Sequence, residues 1–317
     1  MRIVIVGYGE MFRALISGVL KTQHELIAVF RQEYISMNPL NRILNDLLSP
    51  TTDCNFVKTH QLKEINAKSV NSPEFIQFIK ENKIDLILVG SWSEKFSMPT
   101  INAPKRGCIN VHPSLLPKYR GPNPYLQVIL HNETKTGITF HQMDVNYDTG
   151  AIIHQVETRV LPADTGLSLK LRCCDVARHE IANFLNEFPK KNKKAISQNE
   201  KEATYQHQIQ LSESILDFSK ETAEEIDRRI RALTPWLNCH IPHKTEFLTF
   251  SSHKICPKKA RKQAGTIVKK TNNSLFIVCK DGSVIEFSSI RLKRPFASIL
   301  TKYYIEKFIK INERIVV

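Results

Sequence analysis

Short apolar runs alternate with helical patterns through the first half of the chain, and that alternation allows little besides an α/β layer architecture. Arg2–Val6 reads as a buried strand, and Glu10–Leu20 follows as a helix with Met11, Ala14, Leu15 and Val19 at helical spacing. Leu26–Phe30 is a second strand. Pro73–Asn82 carries Phe75, Ile76, Phe78 and Ile79 on a short helix, with Pro73 suited to its first turn. Leu86–Val89, Cys108–Val111, Gly137–Met143 and Ala151–Val156 supply four more strands. A long amphipathic helix through Leu167, Leu171, Cys174, Ile181 and Leu185 completes the pattern. The expectation is a Rossmann-like α/β domain with a mainly parallel sheet over residues 1–188.

A chain of 317 residues is long for one core, which favours two domains. Residues 189–203 open on Pro189-Lys-Lys-Asn-Lys-Lys-Ala195 and read as a solvated, Lys-rich linker. Beyond it the pattern changes. Thr222–Leu233 is helical and is stopped at Pro235-Trp236. Glu246–Ser251, Gly265–Val268, Ser274–Cys279 and Val284–Ile290 are β-like, with Asp281-Gly282 as a hairpin signal between the last two. Leu300–Ile311 is helical again. Residues 204–317 are therefore expected to form a smaller β-barrel domain of the oligonucleotide-binding (OB-like) kind.

The net charge of +14 gathers in that tail, where Tyr205–Val317 holds 20 Lys and Arg against 11 Asp and Glu. Such a surplus suggests a polyanionic partner, nucleic acid first, set against a basic surface that binds nothing. No apolar run approaches the roughly 18 residues of a membrane helix. Neither a basic leader nor a small-residue cleavage site accompanies the apolar Ile3–Val6, so a cytoplasmic location is expected. The seven cysteines lack Cys-x-x-Cys spacing and read as reduced structural thiols, with no metal site expected. Gly7-Tyr-Gly9 invites comparison with a dinucleotide loop, but a third glycine and the acid about 20 residues on are missing. A tight strand-to-helix turn is the better reading.

Reactive residue types concentrate where two strands end, the place where ligands gather in parallel α/β sheets. The first segment is Asn110-Val-His-Pro-Ser-Leu-Leu-Pro-Lys-Tyr-Arg-Gly-Pro122. Asn110 and His112 are two apart and share one face of an extended backbone. The second segment, Met143-Asp-Val-Asn-Tyr-Asp-Thr-Gly-Ala-Ile-Ile153, holds two acids in a turn before a strand. An amide can donate to a developing oxyanion, an imidazole can exchange protons near neutrality, and a carboxylate can orient the imidazole. Acyl transfer needs no Ser or Cys nucleophile when the acceptor is itself an amine. Taken singly, a histidine after a strand is more often structural, and Asp148-Thr-Gly150 alone would be an ordinary turn.

Together these segments resemble the formyltransferase family that uses 10-formyltetrahydrofolate. Its pattern Asn-x-His-x-Ser-Leu-Leu-Pro-x-x-Arg-Gly is followed here by Thr136-Gly-Ile-Thr-Phe-His-Gln-Met-Asp-Val-Asn-Tyr-Asp-Thr-Gly150. The resemblance implies that Asn110, His112 and Asp148 are the catalytic trio. Asn110 would hold the formyl oxygen, His112 would handle the proton, and Asp148 would keep His112 and a water in the right state. Ser114, Leu115, Leu116 and Pro117 would line the folate site, and Val89, Gly90 and Trp92 would face the pterin. His141 and Asp144 lie near the site without an assigned role, and a structural role weighs more.

The tail bears on the acceptor. Ala203-Thr-Tyr205, Ile215-Leu-Asp-Phe218 and Arg231-Ala-Leu-Thr-Pro-Trp236 resemble the C-terminal domain of formyltransferases acting on methionyl-tRNA, as do Ala264-Gly-Thr-Ile267 and Asp281-Gly282. Lys258, Lys259, Arg261 and Lys262, then Arg291, Lys293 and Arg294, are the expected nucleic-acid contacts. Initiator methionyl-tRNA is the leading acceptor. The tRNA enzymes usually carry a basic, glycine-containing loop after the second strand. Arg31–Lys58 has no glycine and little positive charge, and Val89-Gly-Ser-Trp92 looks more like the sugar-amine branch. A 4-amino nucleotide sugar is therefore the alternative acceptor. A non-catalytic RNA-binding protein is the remote third reading. No obligate protein partner is implied.

Overall fold

The computed structural model describes residues 1–31, 52–188, 195–293 and 297–315, the side chains of 297–299 excepted. Arg294, residues 32–51 of the Arg31–Lys58 segment and residues 189–194 of the expected linker lie outside the described residues. Two compact units form: one comprises Met1–Tyr125, Thr134–Val160 and Ser168–His207, the other Leu126–Glu133, Leu161–Leu167 and Gln208–Val317.

The first unit is built on a six-stranded sheet. Its strands are β1 (Arg2–Gly7), β2 (Glu25–Arg31), β3 (Leu86–Gly90), β4 (Cys108–His112), β5 (Lys135–Gln142) and β6 (Ile152–Arg159). The order is β2-β1-β3-β4-β5-β6. The first four strands run parallel, whereas β5 pairs antiparallel with both β4 and β6. The mainly parallel sheet expected from the sequence is present. Ile3, Val4, Ile5 and Val6 all have no solvent exposure, as a strand covered on both faces requires.

Helices α1 (Gly9–Val19), α2 (Thr52–Thr59), α3 (Pro73–Glu81), α4 (Met98–Ile101) and α5 (Pro124–Leu130) fall between these strands in the chain, and α6 (Gly166–Glu187) follows the last of them. Ser72 caps α3 by accepting from the Phe75 N–H, with Pro73 in the first turn as expected. Phe75 and Ile79 bury α3 against Val4, Val6, Phe30, Ile87 and Val89. On α6, Phe184 stacks on Phe140 of β5, with ring centroids 4.5 Å apart.

The Gly7-Tyr-Gly9 turn is the tight strand-to-helix connection expected. A Cβ on Gly7 would lie 2.1 Å from the Gly90 carbonyl oxygen, so β1 and β3 can end side by side only with glycine there. The Gly9 N–H donates to Asp53 Oδ2 at 2.6 Å. A carboxylate thus occupies the helix N-terminus that a dinucleotide phosphate would need.

The second unit carries the C-terminal antiparallel strands. One sheet has the order β10 (Ile267–Lys270), β11 (Ser274–Val278), β12 (Val284–Ser288), β9 (Ser252–Cys256); another has β13 (Arg291–Leu292), β8 (Glu246–Thr249), β7 (Ile241–His243). The Asp281-Gly282 hairpin joins β11 to β12, with Gly282 at φ 82°. Helix α7 (Ala223–Leu233) begins in a Thr222/Glu225 capping box. Ile226 and Leu233 of α7 join Leu248, Ile277, Ile285 and Phe287 in one core. Helix α8 (Ala297–Phe308) follows.

Among the described residues no helix is long and apolar enough to cross a membrane.

Candidate active site

The apolar run of β4 decides where its polar residues go. Ile109 and Val111 are buried, and strand alternation sends Asn110 and His112 to the opposite face. Backbone register sets Asn110 between Val89 of β3 and His141 of β5, and His112 opposite Thr139. Asp148 arrives from the turn joining β5 to β6. Asp144 shapes that turn, accepting from the Thr149 hydroxyl at 2.7 Å and the Asn146 N–H at 2.8 Å. Asp148 itself sits at φ 58°, a left-handed conformation that costs a non-glycine residue of order 1–3 kcal/mol and persists only where its surroundings enforce it.

The three side chains meet. Asn110 Nδ2 donates to Asp148 Oδ1 at 3.0 Å and to His141 Nε2 at 3.1 Å, so both amide hydrogens are engaged. The Gly121 N–H donates to Asp148 Oδ2 at 2.9 Å. His112 Nδ1 lies 3.5 Å from Asp148 Oδ1, while Nε2 contacts the Tyr119 carbonyl at 2.8 Å. A carbonyl can only accept, so Nε2 carries the hydrogen and Nδ1 is the basic nitrogen. His141 Nδ1 donates to the Gln142 carbonyl at 2.8 Å by the same logic, leaving Nε2 to accept from Asn110.

Electrostatics follow from burial. His112 is 5% exposed, and desolvation pushes its pKa below the ordinary value, more than the facing Asp148 and the Tyr119 carbonyl lift it. Burial alone would raise Asp148. His112, His141 and the Gly121 N–H outweigh that and hold the carboxyl well below its usual range. Asp148 is therefore a carboxylate, and desolvation favours the uncharged form of the imidazole that faces it. When Nδ1 takes a proton, the imidazolium formed has a carboxylate directly in front of it.

The Ser114–Pro117 loop is pinned to β5 and β6. Thr139 Oγ1 donates to the Ser114 carbonyl at 2.6 Å and accepts from the Leu116 N–H at 3.2 Å, and Gln155 Nε2 donates to the Leu116 carbonyl at 3.0 Å. Ser114 and Leu116 are buried, while Leu115 and Pro117 stay partly exposed. Val89 and Gly90 are buried at the end of β3; Trp92 packs on Phe30, and its indole N–H has no partner among the described residues.

Lys258, Arg261 and Lys262 are exposed between β9 and β10, as are Arg291 on β13 and Lys293 just after it. Lys259 is exposed too but pairs with Asp281 at 2.7 Å. Lys270, at the end of β10, is committed structurally, donating to the Ile305 and Glu306 carbonyls and to that of Ile309 beyond the end of α8.

Four participants escaped the sequence reading. The Tyr119 carbonyl and Gly121 N–H are main-chain groups without a side-chain signature. Arg120 and Gln198 are the others; Arg120 stands inside the first motif, but Gln198 had no signal in its polar stretch.

A doubly covered sheet with an amide, an imidazole and a carboxylate at one strand end has the parts of a group-transfer enzyme. Residues 1–185 match the formyl transferase family and residues 208–298 match the formyl transferase C-terminal domain; the chain belongs to this family and is a formyltransferase. The methionyl-tRNA formyltransferase of Thermotoga maritima is 32% identical over 73% of this chain and 72% of its own. That of Blochmanniella floridana is 29% identical over 83% and 80%. The fold is shared with WlaRD, a sugar 3N-formyl transferase solved in the presence of dTDP and 5-N-formyl-THF. The TM-score is 0.65 at 19% identity, covering 91% of this chain and 97% of that one.

Proposed function

We propose that this protein transfers the formyl group of 10-formyltetrahydrofolate to the amino group of initiator methionyl-tRNA, in the cytoplasm. The observation that carries the chemistry is His112 Nδ1 turned to Asp148 Oδ1 at 3.5 Å. The relatives acting on methionyl-tRNA, matched over at least 72% of their own length, support the acceptor.

The residues present fit a folate. Leu115 and Pro117 form an apolar ledge on a pinned loop, and Trp92 carries an indole N–H with no partner among the described residues. Ser114 and Leu116 hold that ledge in place, and Val89 and Gly90 close the neighbouring strand end. When bound, the folate supplies a formyl carbon on a nitrogen leaving group. His112 Nδ1 takes the proton released as the amine attacks and returns it to the departing nitrogen. Asp148 holds the imidazolium in between. Asn110 must release one of its two hydrogen bonds to receive the formyl oxygen. The bond to His141 is the one to yield, because that to the carboxylate is charge-assisted and stronger.

In this reading the catalytic domain extends past the expected boundary at 188, because residues 195–207 pack with the first unit rather than forming a linker, and residues 208–317 act as the tRNA-binding domain. Lys258, Lys259, Arg261, Lys262, Arg291 and Lys293 are the described phosphate contacts. Each contact contributes about −0.7 to −0.9 to the log–log salt slope of affinity. Replacing Lys258, Arg261 and Lys262 together by Ala is expected to flatten that slope by roughly 2 to 3, leaving kcat unchanged. An unaltered slope would remove this face from the tRNA site.

Turnover depends on a neutral His112. kcat/KM is expected to be level above about pH 6.5 and to fall on the acid side, with a midpoint below the ordinary histidine value. A midpoint above pH 7 would contradict the assignment.

The primary test is transfer to charged initiator methionyl-tRNA at low and high salt. Rapid, salt-sensitive transfer is expected. Inactivity there with transfer to a 4-amino nucleotide sugar would move the acceptor to the sugar-amine branch that Val89-Gly-Ser-Trp92 resembles, keeping the trio.

A further inference from the structure

Residues 195–207 lie along the candidate active site. Ile196 bridges to Ile152 through two backbone hydrogen bonds of 2.8 Å. The Arg120 N–H donates to the Thr204 carbonyl at 2.9 Å, the Gln206 N–H returns a bond to the Arg120 carbonyl at 2.9 Å, and Thr204 Oγ1 accepts from the Tyr119 N–H at 2.7 Å. Beneath this strap the Arg120 side chain has no solvent exposure. Glu200 grips its guanidinium at both ends, at 3.0 and 2.7 Å, and Tyr205 accepts from Nη1.

Gln198 joins the strap to the acid. Its Oε1 accepts from Arg120 Nε at 3.0 Å and Nη2 at 2.8 Å. Its Nε2 donates to the Asp148 carbonyl at 2.8 Å and the Gly150 carbonyl at 2.7 Å. The guanidinium only donates and the carbonyls only accept, so the amide has one orientation. A residue in left-handed backbone is thereby held from three directions: by Gln198 at its main chain, and by Gly121 and Asn110 at its carboxylate. Gly121 follows Arg120 directly, so the same buried guanidinium that fixes Gln198 also fixes the N–H that binds Asp148 Oδ2.

We propose that Gln198, anchored by Arg120, is a positioning residue that sets Asp148 opposite His112. The inference rests on the reading of Asn110, His112 and Asp148 as the reacting centre. The titratable groups facing His112 are Asp148 from the β5–β6 turn and His141 from β5; Arg120 is the charged group behind Gln198. If Asp148 drifts away, His112 loses the charge that favours its protonated form and titrates at lower pH.

The test compares wild type with Gln198→Met, which keeps length and loses both sets of hydrogen bonds, and with Gln198→Glu. The latter keeps the bond to Arg120 but turns an acceptor toward two carbonyls. The first readout is the titration of the His112 ring by NMR in the unliganded protein, which needs no activity. Both variants are expected to titrate at lower pH than wild type. The second readout is turnover, expected to fall by about 10- to 100-fold in kcat with the donor KM nearly constant. The acid limb of kcat/KM should move in the same direction as the ring titration. A His112 titration identical to wild type in folded Gln198→Met would overturn the proposal, as would a loss of kcat with an unmoved acid limb. If wild type transfers no formyl group while the ring titration still moves, the positioning stands and the assigned activity fails.

Discussion

Asp148→Asn is expected to lower kcat by about 10²–10⁴, the range spanned by a lost acid–base group, with little change in the donor KM. The substitution preserves shape, so the Gly121 N–H still finds an oxygen 2.9 Å away. What disappears is the negative charge 3.5 Å from His112 Nδ1, together with the acceptor that Oδ1 offers to Asn110 Nδ2. Burial already pushes the imidazole toward its neutral form, and the facing carboxylate is the chief influence acting the other way. Without it the imidazolium has no counter-charge at the moment it forms, and an amide hydrogen can instead lock Nδ1 in a hydrogen bond. The acid limb of the pH profile should also move to lower pH, since the remaining histidine is harder to protonate. Near-wild-type turnover in this variant would sink the assignment of roles.

Phe140→Ala is expected to destabilise the catalytic unit by about 3–5 kcal/mol in a urea titration. Phe140 has no solvent exposure and stacks on Phe184 with ring planes 15° apart. Its removal opens a cavity between β5 and α6 that neither stiff element can collapse to fill. The residue adjoins His141 and pairs across the sheet with Val111, so the loss reaches the strand that carries the candidate site. Phe140→Leu should recover more than half of it. A cost below about 1 kcal/mol for the alanine variant would mean that α6 is not held through this stack.

Much of this architecture was legible because its strands are apolar on both faces. β1, β3 and β4 reach or overrun their sequence-predicted ends by a single residue, and Pro73 and the Thr222 segment mark true helix starts. Strand direction was less accessible. Gly137–Met143 and Ala151–Val156 read as strands, but nothing in their side chains says that β5 runs antiparallel to β4; the short Asp144-centred turn accounts only for the antiparallel return of β6 along β5. The very short strands β7 and β13 fell below any periodicity signal, which needs several alternations. At the site, Asn110, His112 and Asp148 were found because their residue types and spacing carry chemistry, and the structure brings all three together. The groups that hold them were not. Tyr119 and Gly121 act through their backbones, and Gln198 is an ordinary polar residue until Arg120 is seen buried beneath it.

The strap gives the site a birth order. Asp148 and Gln198 are 50 residues apart in the chain, and Arg120 and Gln198 are 78 apart. A nascent polypeptide that has just completed β6 at Arg159 already possesses all six sheet strands and all three candidate residues. It still lacks every donor that the strap will bring to the Asp148 turn. At ribosomal speeds of about 5–20 residues per second, roughly 2–8 seconds separate a finished sheet from the emergence of Gln198. During that interval the growing chain adds α6, which covers Phe140, and the centre stays unset until the last residues of the first unit are made.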